Sequence, residues 1–551
     1  MSNSFDPITL EILWSRLVAV ADEAATTLLR TAFTPIIRES NDFATCLMNV
    51  NGETLAECSG GIATFAGLLG RTARHCIQQF PLDTWREGDC VITNDPWIGT
   101  GHLPDIAMIV PIFHQGTVVG FSGSVAHTPD IGGSIGAGNS ELFEEGVCIP
   151  PIHLYRWGKR NEDMLRLFLN NVRLPDLMLG DLEAQVTANE VCRRSTCNFL
   201  HDTGLADLVA LSGAVQGISE RSMRDAIRAL PDGVYRSAVD LDGFDDHPTR
   251  IECSITVAAD EIVVDYAGSS PQNRRATNCT INYTQAYSIY PLKCVLDPFT
   301  RRNEGSYRPV TVTAPTGTIV NAKYPAAVAA RHLSGHVLSC AIYQALAAVL
   351  PNRIIADSGG APAMRARIGG HSDSGDRFQT MLFASAGMGA SSSADGLSTT
   401  AFPTNSGAGS LEVLEAVSPL LFHRKEFRPN SGGAGKYRGG LGQTIEIENI
   451  SANPMHVVII GEREKNPALG ILAGKPGACA SAFVEGVGPV HLKSRTMLAP
   501  GKAVTFNFAG GGGYGDPTER DAAAIHRDVL LGLVTPEAVA HDYGQVVEAG
   551  A

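Results

Sequence analysis

The pattern His-x-Pro-Asp occurs twice, as His102-Leu-Pro-Asp105 and His127-Thr-Pro-Asp130, and the stretch between the two reads as one β-hairpin. Residues 106–113 are apolar and largely β-branched, His114-Gln115-Gly116 is a polar turn, and residues 117–126 return. A hairpin brings its ends together, so this spacing constrains the fold more than any other feature of the chain. If Phe113 faces Thr117, the same register sets His102 within one residue of facing His127, with both aspartates a short turn away. Each proline holds the residue before it extended and pre-orients its His–Asp pair. Two imidazoles and one or two carboxylates on a rigid frame suit a divalent metal, and Mn, Zn or Fe rather than oxygen-seeking Ca. The candidate ligands are His102, Asp105 and His127. Asp130 is a fourth ligand or a carboxylate that orients His127. Three strong ligands leave a coordination position open, as catalytic sites do. A His near a strand end is otherwise an ordinary polar side chain; the duplication and the register set these two apart.

At 551 residues the chain exceeds what one core can hold. The expected fold is α+β and multi-domain, with mixed and antiparallel sheets, a helical N-terminal region and a β-rich C-terminal region. Three units are expected: a metal-site domain over 1–230, a central α/β region over 231–410, and a β-rich domain with closing helices over 411–551. A net charge of −14 argues against nucleic acid or an anionic membrane as the main partner, and no apolar run is long enough to span a bilayer. The start, Met1-Ser-Asn-Ser-Phe-Asp-Pro, has neither basic residues nor an apolar stretch, so no signal peptide and a cytoplasmic location are expected. The twelve cysteines form no Cys-x-x-Cys pair and read as reduced, buried small hydrophobes, with Cys192 and Cys197 on one helix.

Asp6-Pro7 is an N-cap followed by proline at the first helical position, and apolar residues at helical spacing extend that helix to about Thr31. A hairpin begins just after Asp42 and turns at Asn51-Gly52. Helices are expected over 65–80, 182–199, 205–230, 284–296 and 326–350, the last opened by Arg331 and His332. Strands are expected over 234–241, 250–257, 261–266 and 309–314. Residues 359–409, rich in Gly, Ser, Ala and Thr, read as irregular loops between short strands. Beyond Leu411 the runs 443–450, 455–460, 481–484 and 503–508 predict an antiparallel barrel or sandwich, closed by helices from Asp521 and after Thr535.

Other glycine-rich stretches do not make a nucleotide site. In Gly432-Gly-Ala-Gly435-Lys436-Tyr437, Asn430 stands where a phosphate loop needs glycine, and Tyr437 replaces the Ser or Thr that would hold Mg. Gly133-Ser-Ile-Gly136-Ala-Gly138 lacks the dinucleotide spacing. Gly510–Gly513 is read as a tight turn in preference to an anion-binding nest of N–H groups.

The string Asn94-Asp95-Pro96-Trp97-Ile-Gly99-Thr-Gly101-His102-Leu-Pro104-Asp105 resembles the hydantoinase B/oxoprolinase family, whose relatives include the metal-carrying subunits of acetone and acetophenone carboxylases and the fused 5-oxoprolinases. The likeness runs the length of the chain. It includes Arg38-Glu-Ser-Asn-Asp-Phe, Ala126-His-Thr-Pro-Asp-Ile-Gly-Gly133, Pro325-Ala-Ala-Val-Ala-Ala-Arg331 and the closing Gly-Gly-Gly-Gly-Tyr-Gly-Asp-Pro. It implies a two-component enzyme in which a hydantoinase A-like partner binds ATP and phosphorylates an amide or enol oxygen, and this chain handles the activated species. The resemblance also maps the carboxylase metal ligands onto His102, Asp105 and His127.

The expected activity is ATP-dependent hydrolysis of a hydantoin, 5-oxoproline or related lactam. The alternatives are a ketone carboxylase subunit and a non-catalytic structural subunit. Asp42, or in second place Glu39, is a candidate general base or added ligand; a carboxylate capping a turn is the other reading of Asp42. Arg331 and His332 are candidates for binding phosphate or a substrate carboxylate, or for a structural salt bridge. Many members carry a histidine near residues 60–69, where this chain has Gly-Gly-Ile-Ala-Thr-Phe-Ala-Gly-Leu-Leu, so a different substrate pocket is expected.

Overall fold

The computed structural model describes residues 5–134, 136–244 and 247–546, apart from the side chain of Ala66. Residues 1–4, on which the reading of the N-terminus partly rests, lie outside the described residues, as does Ile135 of the glycine-rich stretch after Asp130. The architecture is α+β, with four sheets. No helix among the described residues is long and apolar enough to cross a membrane. None of the twelve cysteines is in a disulfide, and eight are buried.

The chain opens on the helix Pro7–Thr31, whose N-cap Asp6 accepts from the N–H groups of Ile8 and Thr9. The first sheet is built from β1 (Phe43–Asn49), β2 (Thr54–Glu57), β3 (Cys90–Thr93), β4 (Asp105–His114), β5 (Thr117–His127), β6 (Ile152–Arg156) and β7 (Lys159–Arg160). Its order is β2-β1-β5-β4-β3-β6-β7 and every pairing is antiparallel. Helices cover both faces, which is why β4 reads as an unbroken apolar run rather than an alternating one. Ala107 and Ile109 pack with the helix Ala63–Gln79, while Ile106, Met108 and Val110 pack with the helices Glu162–Leu169 and Pro175–Thr203. Ser122 and Ser124 point at the last of these and donate to Asn189 and Gln185, so the polar positions of β5 are satisfied inside the core.

The hairpin differs from its expected register. Gln115 and Gly116 both have positive φ (50° and 82°), which makes a two-residue turn with His114, not Phe113, opposite Thr117. A bulge between Ile112 and Phe113 shifts the ladder once more, and Asp105, not His102, ends up opposite His127.

The helix Val209–Arg228 leads to the sheet β11-β10-β9-β8, made of β8 (Gly233–Phe244), β9 (His247–Ala258), β10 (Glu261–Asp265) and β11 (Val310–Thr313). The β10–β11 pair is parallel, so this sheet is mixed. It packs on the helices Ile281–Leu296 and Leu338–Leu346. The helix expected over 326–350 is shorter: residues 326–331 are irregular and the helical turns start at His332. The cause is tertiary competition for backbone donors. Ala330 gives to the Ala276 carbonyl the N–H that a helix from 326 would direct at the Ala326 carbonyl, while the N–H groups of Val328 and Ala329, free in any first turn, go to Glu145 at 2.7 and 2.8 Å.

Nine strands follow: β12 (Arg365–His371), β13 (Arg377–Phe383), β14 (Leu420–Phe427), β15 (Gln443–Asn449), β16 (Met455–Ile460), β17 (Ser481–Val484), β18 (Gly488–Val490), β19 (Arg495–Leu498) and β20 (Ala503–Asn507). They form two sheets, β13-β12-β16-β19 and β14-β15-β20-β17-β18, whose inner faces share one core: a sandwich that reaches back across position 410. Strand alternation divides the first of these sheets cleanly. Ala366, Ile368, Phe378, Leu382, Val457 and Ile459 face the sandwich core, whereas Arg365, Arg367, Arg377, Met381, His456 and Ile460 share the opposite face. That outer face is turned toward the first sheet, with Arg367 and Gln379 both donating to the Pro129 carbonyl.

Gly510–Gly513 is neither a tight turn nor an anion nest. None of the four has a positive φ, and their N–H groups donate to the carbonyls of Ala478, Gly440, Asp357 and Lys475. A Cβ on any of them would lie 2.2 Å or less from a backbone oxygen, so glycine is demanded by the close passage of neighbouring segments.

Candidate metal centre

The loop from Asn94 to Pro104 carries His102 to the end of the hairpin. Asn94 clamps it, donating from Nδ2 to Leu103 O and Val147 O and accepting Ile149 N at 2.6 Å. Asn282 donates to Pro96 O and Gly99 O from the helix Ile281–Leu296. Gly101 sits at φ +94°, and a Cβ there would lie 2.9 Å from Arg331 Cδ and 3.0 Å from Tyr283 Cβ. The glycine lets the loop close over the arginine. On the other side, His127 ends β5 with its N–H on Asp42 O, and Thr128 closes onto Pro104 O through both N–H and hydroxyl.

His102, Asp105 and His127 therefore converge, although His102 arrives by the loop and not by the ladder. One donor atom from each lies within 4.8 Å of the others, and all three side chains are buried. Asp105 Oδ1 accepts from His127 Nδ1 at 2.7 Å and lies 2.9 Å from His102 Nε2. Its Oδ2 accepts from Thr100 Oγ1 at 2.5 Å and Arg331 Nη2 at 2.9 Å. Arg331 also donates from Nε to Thr100 O at 2.7 Å and stacks on Tyr283.

The tautomer of His102 follows from its other nitrogen. Nδ1 lies 3.2 Å from Ala329 O, which can only accept, so Nδ1 carries the hydrogen and Nε2 presents a lone pair. Burial, with the Arg331 charge, pushes the His102 imidazolium down to about 4, so the ring is neutral at pH 7. A nitrogen lone pair thus stands 2.9 Å from a carboxylate oxygen without hydrogen-bond alignment. His102 Nε2 and His127 Nε2 are both buried without a partner. Burial alone would raise the Asp105 carboxyl, but the Arg331 guanidinium and the hydrogen bond from His127 Nδ1 outweigh it and hold that group well below the usual carboxylate range. Two buried imidazole nitrogens without partners beside an ionised carboxylate are the donor set a first-row divalent metal takes.

The two histidines of the trio open on a cavity of about 80 Å³. Asp42 lines it with Oδ1 buried and unpartnered, and burial raises its carboxyl above the usual range. Ile62 and Phe65 form part of the wall, so the segment 60–69 supplies apolar side chains here. Tyr283, Tyr287, Met381 and Phe383 add to the aromatic and apolar part of a lining that also holds charged and polar side chains.

The remaining residues singled out in the sequence are placed as follows. Asp130 is not gathered with the trio; it accepts from Gly132 N and from the backbone and guanidinium of Arg173. Glu39 lies at a separate cavity beside the helix Pro35–Arg38. Arg331 forms its ion pair with Asp105. His332 lines the metal cavity with a buried, unpartnered Nε2, and burial holds its imidazolium well below the usual value. His336 and Arg365 also line the cavity and carried no signal in the sequence. His336 stands one helical turn after His332, a spacing legible only once a helix is known to start there.

Known proteins share this architecture. The family description Hydantoinase B/oxoprolinase matches residues 6–517. The chain is 32% identical to the beta chain of the caprolactamase of Pseudomonas jessenii, covering 99% of this chain and 97% of that protein. It is 30% identical to a protein of Pseudomonas sp. (strain NS671) named as the B-type subunit of a D-/L-hydantoinase, covering 98% and 95%. Among solved structures, the ATP-dependent caprolactamase from Pseudomonas jessenii superposes with a TM-score of 0.91 at 28% identity, covering 100% of this chain and 98% of that one.

Proposed function

The chain belongs to the hydantoinase B/oxoprolinase family, and from that premise we propose that it is the B-type subunit of an ATP-dependent cyclic amide hydrolase. Its substrate on this reading is a hydantoin, 5-oxoproline or related lactam, phosphorylated by a hydantoinase A-like, ATP-binding partner subunit. The observation that carries the reading is the pair of lone-pair nitrogens, His102 Nε2 and His127 Nε2, buried without partners beside ionised Asp105. The caprolactamase and hydantoinase relatives act on cyclic amides by name and are themselves subunits, which supports both the substrate class and the need for a partner.

On this proposal His102, Asp105 and His127 hold a divalent Mn, Zn or Fe. When bound, such an ion supplies Lewis acidity toward a substrate oxygen and toward water. Arg331 and Thr100 fix Asp105 through Oδ2, so the carboxylate keeps one orientation during turnover. Asp42 Oδ1 takes the proton of the attacking water, and its raised affinity for protons suits a base that must later return one. The tyrosines, Phe65 and Phe383 exclude bulk water from the wall against which the ring would lie.

The test is ring opening by the chain co-expressed with its partner, scored for ATP dependence on a panel of hydantoins, 5-oxoproline and lactams. ATP-dependent opening that disappears in H102A and H127A supports the proposal. Bicarbonate-dependent carboxylation of a ketone would transfer the chain to the carboxylase alternative, and full turnover in both variants would make it a structural subunit.

A further inference from the structure

A second cavity, of about 300 Å³, opens beside the metal cavity on the outer face of the sheet β13-β12-β16-β19. Its lining includes Arg173, Arg367, Arg377, Lys493, Arg495 and His456, and contains no carboxylate. In a chain of net charge −14 this is a concentrated reversal of sign. Two of the cations are neutralised from outside the lining, Arg173 by Asp130 at 2.8 Å and Lys493 by Glu462 at 2.6 Å. Arg367, Arg377 and Arg495 have no ion pair among the described residues. Arg367 is the informative one, because it is 6% exposed and its Nε has no hydrogen-bond partner. The nearby acid, Asp130, is already paired with Arg173, and a buried guanidinium without an ion pair of its own is costly. Ser494 adds a buried hydroxyl with no partner to the same wall. His456 registers the field: burial first, then Arg495, Arg377, Arg367 and Arg173, push its imidazolium down.

Strand pairing fixes how this cleft relates to the metal centre. Arg365 faces Ile460 across β12 and β16, and both line the metal cavity; two residues on, Arg367 faces Val458, which in turn faces Arg495, and all three line the cleft. Residues two apart on a strand share a face and are about 7 Å apart along it. The two cavities are therefore neighbouring rungs of one sheet face, with the Pro129 carbonyl, held by Arg367 and Gln379, at the same junction.

We propose that the cleft formed by Arg367, Arg377, Arg495 and Ser494 is a phosphoryl-binding site adjoining the metal cavity. The geometry suits a compact dianion: planar guanidiniums present paired donors to phosphate oxygens, and the absence of any acidic side chain in the lining removes the usual competitor. Two sources share this chemistry, inorganic phosphate and the phosphoryl group of a phosphorylated small molecule. The site stands on charge and burial; its use in turnover rests on the ATP-dependent hydrolase reading.

The experiment is isothermal titration of the full-length chain, purified with its partner, using inorganic phosphate and separately phenyl phosphate as probes. Saturable binding is expected, weakened about tenfold or more in the double variant R377A/R495A and in R367M. Arg377 and Arg495 are exposed, so the double variant folds and decides the matter even if R367M does not. Phosphate that inhibits ring opening competitively with the cyclic amide assigns the site to the phosphorylated substrate, and non-competitive inhibition assigns it to released phosphate. No binding of either probe, or equal affinity in R377A/R495A and the parent, overturns the proposal. Because binding is read without turnover, that result leaves the hydrolase reading intact, and a failed hydrolase assay leaves this one standing.

Discussion

The metal cavity and the basic cleft lie on adjacent rungs of one sheet face, yet their deficits are opposite. In the first, an ionised carboxylate stands beside two buried imidazole nitrogens, His102 Nε2 and His127 Nε2, that have no partner. In the second, guanidiniums gather with no acid among the lining residues. Elsewhere the fold shows ordinary care: Arg438 and Arg520, both buried, share Asp528, and Lys293 holds Asp297. Two departures of opposite sign, side by side, support the two proposals together, a cation in one chamber and an anion in the next.

The comparison can be broken most severely at Asp105. An Asp105→Ala chain should lose its metal and all ATP-dependent turnover, and should bind phosphate in the cleft as the parent does. It also leaves the Arg331 guanidinium buried and unpaired, which should cost about 3–5 kcal/mol in urea unfolding. Asp42→Asn comes next. Turnover should fall about 10²–10⁴-fold with metal content unchanged, since Asp42 is assigned the proton and not the ion; metal loss in this variant would make Asp42 a ligand instead. Thr100→Val is milder, and metal affinity measured by chelator competition should weaken about 10–100-fold because one of two bonds holding Asp105 Oδ2 is gone. The smallest effect lies at Glu145, whose carboxyl is pushed up to about 8, first by burial. The folded chain therefore holds a proton that the unfolded chain releases near 4.5, so this group's contribution to stability is full below that pH and is lost as pH rises through about 8. Glu145→Gln should flatten the fall in melting temperature over that interval; an unchanged slope would place its cause elsewhere.

Local signals in the sequence carried much of this. The Asp6 cap, the helices at 182–199 and 205–230, and the β-rich C-terminal half were legible because capping and periodicity act within a few residues. The convergence of His102 and His127 was visible in the hairpin, but its route was not. A bulge and a turn displaced by one residue altered the register, and the loop clamped by Asn94 restored what the ladder no longer supplied. Nothing in the chain announced the basic cleft, whose cations come from residue 173, two strands near 370 and a loop and strand near 495. No run of like charge exists in any one of these segments. Arg365 was hidden in the same way, inside a stretch whose glycine and serine content suggested loops. The helix expected from 326 failed because the Ala276 carbonyl, far off in sequence, takes the Ala330 N–H that its first intrahelical bond needs.

Elemental analysis of the full-length chain, purified without chelators alongside its H102A/H127A double variant, tests the central claim most directly. The account predicts close to one equivalent of Mn, Zn or Fe in the parent and none in the variant. A parent chain that is well folded and free of transition metal, or a variant that retains it, would contradict the account.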